Sequence, residues 1–268
     1  MRDSGLLQRA VARLISPLPR SARQCLKRPV RWWLIDDVTR WEVIQAAIDK
    51  LKAQRYLEIG VAAGTNFSRI RAPSKWGVDP CEPQGLVRAA VDGKNTFYFQ
   101  MSSDEFFDRQ ESMLRCDGID VAFIDGLHSY TQALKDCERC LAHLRPGGVI
   151  FLHDCNPASA ARAAPGSSYD EVAAMDLPGW DGEWNGDVWK TVVYLRVARA
   201  DLRVCVLNCD FGMGGVSPAH AKKLAGYPPA RVAAMNYGDL ERDRRTLLNL
   251  RRPHSLFSVL REALRQRS

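Results

Sequence analysis

The chain has 268 residues, of which 46% are hydrophobic and 26% are charged, a composition ordinary for a globular protein with a sizeable core. No stretch approaches the roughly 18 consecutive apolar residues of a membrane-spanning helix. The net charge of +7 comes from the ends, since residues 1–31 carry +7 and residues 239–268 carry +4, which leaves −4 for the middle. An enzyme acting on nucleic acid usually surrounds its site with positive charge, so we expect no nucleic-acid partner.

The first residues are repeatedly interrupted by Arg and lack the apolar segment of a secretory signal, so we expect a cytoplasmic protein. Leu6 to Ile15 shows apolar residues at helical spacing before Pro17 and Pro19 break the pattern. This segment would either lie on anionic lipid, peripheral at the membrane, or remain a solvated leader. We assign residues 1–40 to a basic, partly helical N-terminal extension.

Residues 41–235 alternate between predicted helices and predicted strands. A helical stretch, VTRWEVIQAAIDKLKA, comes first, and a second helix is predicted to begin near Thr65 or Asn66. The alternation predicts a doubly wound, mostly parallel sheet of an α/β protein. The first five strands are predicted, in chain order, at YLEI, KWGVD, TFYFQMSS, IDVAFID and GGVIFLHD.

After Pro157 the pattern gives way to an irregular stretch that continues to about Gly186. A loop of that length in a compact domain is usually functional or mobile, so we expect residues 158–186 and the termini to govern specificity. A helix at GDVWKTVVYLRVAR and two paired strands at LRVCVLN and FGMGGVS follow. Residues 236–268 are predicted to form a basic helical C-terminal extension.

The eight cysteines are expected to be reduced and mostly buried, because the chain is large enough to fold without disulfides. Cys137 and Cys140 form a C-x-x-C inside a predicted helix. No second pair at zinc-finger spacing accompanies them, so a structural role is favoured.

A small-residue turn follows the first strand. Glu58, Gly60 and Gly64 lie in E-I-G-V-A-A-G, and such glycines let the backbone approach a ligand closely. Asp79 ends the next strand, where an acid can accept both hydroxyls of a ribose. The pair predicts a nucleoside-type ligand, although the dinucleotide fingerprint would require glycine where Ala62 stands.

Polar side chains follow the fourth and fifth strands. Asp125 and His128 follow one strand, and His153 and Asp154 follow the next. Because parallel strands bring their carboxyl ends to one edge, these side chains should meet there. His128 suits a general base, and Asp125 and Asp154 could jointly hold Mg²⁺. Each could instead cap a helix or complete a turn.

The segments YLEIGVAAGTNFSRI, WGVDPCEP, D-G-x-H-S-Y and L-x-P-G-G-x-x-x-x-H-D span Tyr56 to Pro157. Together they resemble the class I S-adenosylmethionine-dependent methyltransferases, in the branch that includes O-methyltransferases of sugars and natural products. The last two predicted strands match the antiparallel hairpin that closes the seven-stranded sheet of that family. The resemblance implies a Rossmann-like methyltransferase fold between the two extensions.

The resemblance also implies roles for individual residues. S-adenosylmethionine would be the cofactor, with its methionine and ribose portion beside the small-residue turn, and the acceptor would be a hydroxyl of a small molecule, sugar or glycan. His128 would be the base, whereas His153 stands where some metal-dependent relatives have a carboxylate. Trp189 and Lys190 would border the substrate, or serve packing and solvation. The cofactor residues would be Glu58, Gly60, Gly64, Asp79, Ser102, Ser103, Asp104 and Asp125.

Two other functions remain open at this point. An NAD-linked oxidoreductase would share the early strands, but it does not predict the final hairpin. A noncatalytic nucleoside-binding or scaffold protein would associate with a membrane or acidic partners through its basic ends. Such a protein would need neither His128 nor an open cavity for an acceptor molecule.

Overall fold

The computed structural model describes residue 32 and residues 38–91 and 95–264. These residues form an eight-stranded sheet with the strand order β3-β2-β1-β4-β5-β7-β6-β8. β1 to β5 are parallel, and β7 is antiparallel to both of its neighbours. The strands are β1 (Arg55–Ile59), β2 (Ser74–Asp79), β3 (Thr96–Gln100), β4 (Ile119–Ile124), β5 (Leu144–Leu152), β6 (Leu202–Leu207), β7 (Met213–Pro218) and β8 (Leu250–Arg251).

Helices cover both faces of the sheet. α5 and α7 pack on one face, and α1 and α10 pack on the other. A short 3₁₀ turn, Pro253–Ser255, precedes the last helix. The helices are α1 (Arg40–Leu51), α2 (Gly85–Val91), α3 (Ser103–Arg109), α4 (Glu111–Asp117), α5 (Tyr130–Ala142), α6 (Tyr169–Ala173), α7 (Trp189–Ala198), α8 (Pro229–Val232), α9 (Tyr237–Leu247) and α10 (Leu256–Leu264).

The central strands are buried on both faces, which explains their near-continuous apolar sequences. In β4, Ala122 and Ile124 belong to the core on one face, whereas Val121 and Phe123 belong to the core on the other. The doubly wound α/β fold predicted from the alternation of elements is confirmed.

The strand ends are staggered so that three polar turns lie side by side. The amide of Gly60 donates to Val78 O, the amide of Asp125 to Ile59 O, and the amide of His153 to Ile124 O. The turns after β1, β4 and β5 therefore open at the same edge of the sheet.

The strand count of seven is wrong, because β8 adds an eighth strand. It pairs in parallel with β6 through Leu250 opposite Val206 and Arg251 opposite Leu207. A two-residue strand carries no readable periodicity, and its residues lie in a segment that the sequence predicted to be helical.

The helix predicted to begin near Thr65 or Asn66 is replaced by consecutive turns at residues 65–69. The amide of Ser68 donates to Gly64 O, and that of Arg69 donates to Asn66 O. The Asn66 side chain points inward and donates to Glu58 at 2.8 Å. This inward anchor holds the segment against the sheet, and tertiary packing overrides the local preference for a helix.

The C-terminal segment packs against the sheet. Leu256, Leu260 and Ala263 of α10 are buried in the core that contains α1, and the rings of Trp32 and Phe257 lie 5.3 Å apart. The boundaries at residues 40 and 235 stay predictions, and the amphipathic stretch at residues 6–15 lies outside the described residues. None of the described helices has the length and apolarity to cross a membrane.

Candidate active site

Two cavities meet at the carboxyl edge of the sheet. We name them after the ligands that the sequence predicts: the nucleoside cavity, which contains Asp79, has a volume of about 520 Å³, and the acceptor cavity, which contains His153, has a volume of about 510 Å³. Both are lined by Gly60, Ala62, Asp125 and His128.

The nucleoside cavity brings Asp79 together with Ser102, Ser103 and Asp104, as the sequence predicted. Asp79 accepts the backbone amides of Ala62 at 2.8 Å and Cys81 at 2.9 Å, which fixes its carboxylate beside the small-residue turn. Asp104 is paired with Lys135 at 2.7 Å, so its carboxylate already has a partner at the rim.

Sequence reasoning missed several lining residues of the nucleoside cavity, among them Leu127, Gln132 and Asp136. Gln132 donates to Asp136 at 3.0 Å and to Ser103 at 3.2 Å, so it links α5 to the first residue of α3. Burial raises the pKa of Asp136 to about 6. Their signal is position, since they lie in D-G-x-H-S-Y or within the six residues that follow it.

Gly60 and Gly64 have different surroundings. A Cβ on Gly60 would lie 2.0 Å from the Asp125 carbonyl oxygen, and its φ of +82° is one that other residues rarely adopt. Gly60 thus permits the turns after β1 and β4 to touch. Gly64, at φ +76°, packs against Val87 and lines neither cavity.

Glu58 lies at the floor of the acceptor cavity and is 1% exposed. It accepts hydrogen bonds from the Tyr56 hydroxyl at 2.5 Å and from Asn66 at 2.8 Å. Burial raises the pKa of Glu58 to about 8, and these two hydrogen bonds only partly oppose that effect. Its carboxyl group is therefore mostly neutral at pH 7.

The acceptor cavity holds the residues predicted at the ends of β4 and β5. His153 Nδ1 lies 3.1 Å from an Asp125 oxygen and 2.9 Å from an Asp154 oxygen. Burial alone would lower the pKa of His153, but Asp125 and Asp154 raise it well above its usual range. A protonated imidazole thus lies between two carboxylates.

Arg40 and Asp210 complete this ionic cluster and were missed from the sequence. Arg40 contacts Asp125 at 2.6 Å, and its backbone amide donates to Asp210. Burial would raise the pKa of Asp125, but His153 and Arg40 hold it well below its usual range. Nothing local marks Arg40, which lies 85 residues from Asp125 in the chain.

The irregular segment after β5 positions His128. His128 Nδ1 lies 2.9 Å from the Trp184 carbonyl oxygen, and the two rings lie 5.0 Å apart. A carbonyl oxygen can only accept a hydrogen bond, so in the neutral ring Nδ1 carries the proton. Nε2 is then unprotonated and can accept a proton. Nε2 lies 3.4 Å from Asp154 and 3.8 Å from Asp125.

Two further residues of that segment hold the site together. Gly186 approaches so closely that a Cβ there would lie 1.8 Å from the His128 carbonyl oxygen. Asn185 is buried and donates to Asp154, whose φ of +59° turns its carboxylate towards the cavity. Part of residues 158–186 therefore forms a wall of the site.

The sequence of the central region matches a known family. Residues 57–155 match the family model described as a methyltransferase domain. That match begins within β1 and ends three residues after β5, and the antiparallel pair β6 and β7 adjoins β5 as in the expected fold. Over residues 57–155 the chain is therefore similar to a methyltransferase domain.

Solved structures resemble this methyltransferase at a distance. The O-methyltransferase TomG from Streptomyces achromogenes, involved in tomaymycin synthesis and solved with S-adenosylmethionine, shares 12% identity over 82% of this chain and 100% of its own, with a TM-score of 0.46. The Podospora anserina methyltransferase PaMTH1, solved with S-adenosylhomocysteine bound, shares 16% sequence identity over 81% of this chain and 88% of its own, with a TM-score of 0.45. These likenesses do not assign an acceptor.

A third structure, an O-methyltransferase from Bacillus cereus in complex with S-adenosylhomocysteine, shares 15% identity over 79% of this chain and 95% of its own, with a TM-score of 0.42. No curated protein matches the chain. The match to a methyltransferase domain favours methyl transfer over the NAD-linked and noncatalytic alternatives.

The donor atoms of the methyltransferase would suit a divalent cation. One oxygen each of Asp125 and Asp154, together with a His128 nitrogen, lie within 4.8 Å of one another. Both carboxylates also face His153 Nδ1, so a cation would compete with the His153 proton for the same two oxygens. The two carboxylates fit the oxygen preference of Mg²⁺.

Two residues suggested for the substrate border lie elsewhere. Trp189 is 1% exposed in the core, and Lys190 is paired with Asp187 at 3.0 Å. Neither lines a cavity of the site, so the alternative of core packing describes Trp189, whereas the alternative of solvation is wrong for Lys190, which is buried.

Proposed function

We propose that this methyltransferase transfers a methyl group to a hydroxyl of a small molecule, sugar or glycan, with His128 as the general base. The observation that carries the proposal is the hydrogen bond between His128 Nδ1 and Trp184 O, which leaves Nε2 free where the two cavities meet. A histidine in this tautomer can take a proton from a hydroxyl placed in the acceptor cavity.

The nucleoside cavity would take the adenosine part of the cofactor. Asp79 would accept the ribose hydroxyls, since its backbone contacts fix it at the end of β2. Ser102, Ser103 and Asp104 would border the adenine. Glu58 and Gly60 would lie beside the methionine part, with Gly64 supporting the turn from behind.

The reaction would proceed in line through the junction of the cavities. The hydroxyl oxygen attacks the methyl carbon, the bond between carbon and sulfur breaks, and its electron pair remains on sulfur as S-adenosylhomocysteine. The proton moves to His128 Nε2. Asp125 and Asp154 lie beside that atom and would stabilise the imidazolium as it forms.

Asp125 and Asp154 would also hold a divalent cation such as Mg²⁺. When bound, it would supply positive charge that favours the deprotonated form of the acceptor hydroxyl. Asp125 would then contact the cation and border the cofactor at once, since it lines both cavities.

The role of His128 is tested with His128→Ala, with His220→Ala as a control at an exposed histidine that lines neither cavity. Methylation of a panel of hydroxylated small molecules and sugars by radiolabelled cofactor should fall about 10²- to 10⁴-fold in His128→Ala. Calorimetric titration with S-adenosylhomocysteine should show that both variants still bind it, and any loss of affinity in His128→Ala should be much smaller than its loss of methylation. Full turnover by His128→Ala would remove the base from the proposal.

A further inference from the structure

A third concavity lies away from the catalytic edge. This basic groove has a volume of about 420 Å³ and runs along the first four residues of β6. Because β5 and β6 are both antiparallel to β7, the start of β6 points away from the edge where the methyltransferase site opens. The groove is lined by Arg196, Arg203, Lys222, Arg251, Asn249, Ser255, Ser258 and five apolar or small residues.

Four cations line the basic groove, and the described residues of its lining include no carboxylate. Lys222 is exposed and has no hydrogen-bond or ion-pair partner in the part of the chain that the structure describes. Arg251 donates from Nε to Asn249 at 2.9 Å, and within the same described residues its terminal nitrogens make no hydrogen bond. Both side chains can therefore donate to a ligand.

The two remaining arginines are anchored beside them. Arg196 donates to the Leu247 carbonyl oxygen at 2.7 Å, and Arg203 is paired with Glu262. Since a guanidinium has five N–H donors, each keeps donors beyond those contacts.

The positive charges of the three arginines all act on one buried side chain, Cys205. Burial raises the pKa of Cys205 to about 11, while Arg251, Arg203 and Arg196 all act to lower it. Burial also lowers the pKa of Arg196, and the charge of Arg251 acts in the same direction. Like charges held around a concavity repel one another, and a bound anion would relieve that repulsion.

We propose that the basic groove binds a phosphate group, carried either by a free phosphorylated small molecule or by a lipid headgroup. Arginine presents paired donors that match phosphate oxygens, and Lys222 adds a compact charge. The hydroxyls of Ser255 and Ser258 lie on the same lining. A phosphate has enough acceptor oxygens to engage several of these donors at once.

The test uses the full chain and inorganic pyrophosphate as the probe, titrated by calorimetry at low ionic strength. The double variant Lys222→Ala with Arg251→Ala should weaken binding at least about tenfold, because charge-assisted hydrogen bonds are lost. The matched control is Lys223→Ala with Arg252→Ala, which removes the same charge from two exposed residues outside the groove lining. Its affinity should stay within about twofold of wild type.

A second arm separates the two sources of phosphate. Cosedimentation with phosphatidylcholine vesicles, with and without phosphatidic acid, is compared for both double variants. If only the Lys222→Ala with Arg251→Ala variant loses binding to vesicles that contain phosphatidic acid, the ligand is a lipid headgroup. If that variant still binds these vesicles but no longer binds pyrophosphate, the ligand is a free phosphorylated molecule. Equal loss of pyrophosphate binding in both double variants, or no binding of either probe by wild type, overturns the proposal. Unchanged titration with S-adenosylhomocysteine verifies that each variant is folded.

Discussion

The two cavities of the site are built in different ways. The nucleoside cavity is formed by residues next to strand ends, and its contacts join residues from 2 to 31 positions apart, as Asp79 with Cys81 and Asp104 with Lys135 show. The acceptor cavity is held by an ionic cluster whose members come from distant segments, as Arg40 with Asp125 and Asn185 with Asp154 show. The proposed cofactor site is thus held by contacts of shorter range than the one between Arg40 and Asp125, which spans 85 residues and helps to form the proposed acceptor site.

The largest expected effect follows from removing a carboxylate of the distant cluster. Asp125→Ala leaves both Arg40 and the buried His153 without a partner on that side. Breaking a buried charge pair costs about 3–5 kcal/mol, so the free energy of unfolding should fall by about that amount. Denaturant titration measures this.

The matched control for Asp125→Ala is Asp117→Ala, which removes the half-exposed partner of Arg55 far from the site. A surface pair of that kind contributes about 0–1 kcal/mol. If the two variants lost equal stability, the acceptor cavity would not depend on its ionic cluster.

A pH experiment compares one buried acid of each cavity. The pKa of Glu58 in the folded state is about 8 and that of Asp136 is about 6, and burial is the main cause of both. Folding raises the pKa of each of these carboxyl groups, so the protonated group contributes stability to the folded protein. This contribution is fully present below the pKa of the group in the unfolded protein and is lost as pH rises through its pKa in the folded protein.

Between pH 6 and pH 8 the loss from Glu58 should reach about 2 kcal/mol, while the loss from Asp136 should already be nearly complete. Glu58→Gln should therefore flatten the fall in unfolding free energy across that window relative to wild type. Asp136→Asn should change the slope below pH 6. A wild-type slope in Glu58→Gln above pH 6 would contradict the neutral carboxyl group in the acceptor cavity.

The smallest expected effect concerns the cap of the helix that borders the nucleoside cavity. Ser102 accepts the Glu105 amide at the start of α3, and Asn236 accepts the Asp239 amide in the same way at the start of α9. Ser102→Ala and Asn236→Ala should each cost about 1 kcal/mol of stability.

Only Ser102→Ala should also weaken S-adenosylhomocysteine binding, since Ser102 lines the nucleoside cavity and Asn236 does not. Thermal unfolding and calorimetric titration of both variants measure the two effects. An equal change of affinity in Asn236→Ala would show that the cavity responds to general loss of stability rather than to its own cap.

The amino-acid sequence by itself determined the fold class and the place of the site. Apolar runs ending in Asp79, Asp125 and Asp154 predicted parallel strands whose polar ends share an edge, and the structure brings these residues together. Strand periodicity and strand ends are local properties, so they can be read without knowing what packs against them.

Only the tertiary structure decided the protonation and partners of the site. The tautomer of His128 depends on the Trp184 carbonyl, 56 residues away, and the charge of His153 depends on burial between two carboxylates. β8 and the turns that replace a helix after Gly64 also depend on long-range packing. Such features arise from contacts between segments that no local pattern joins, and burial then sets the energy of every charge placed there.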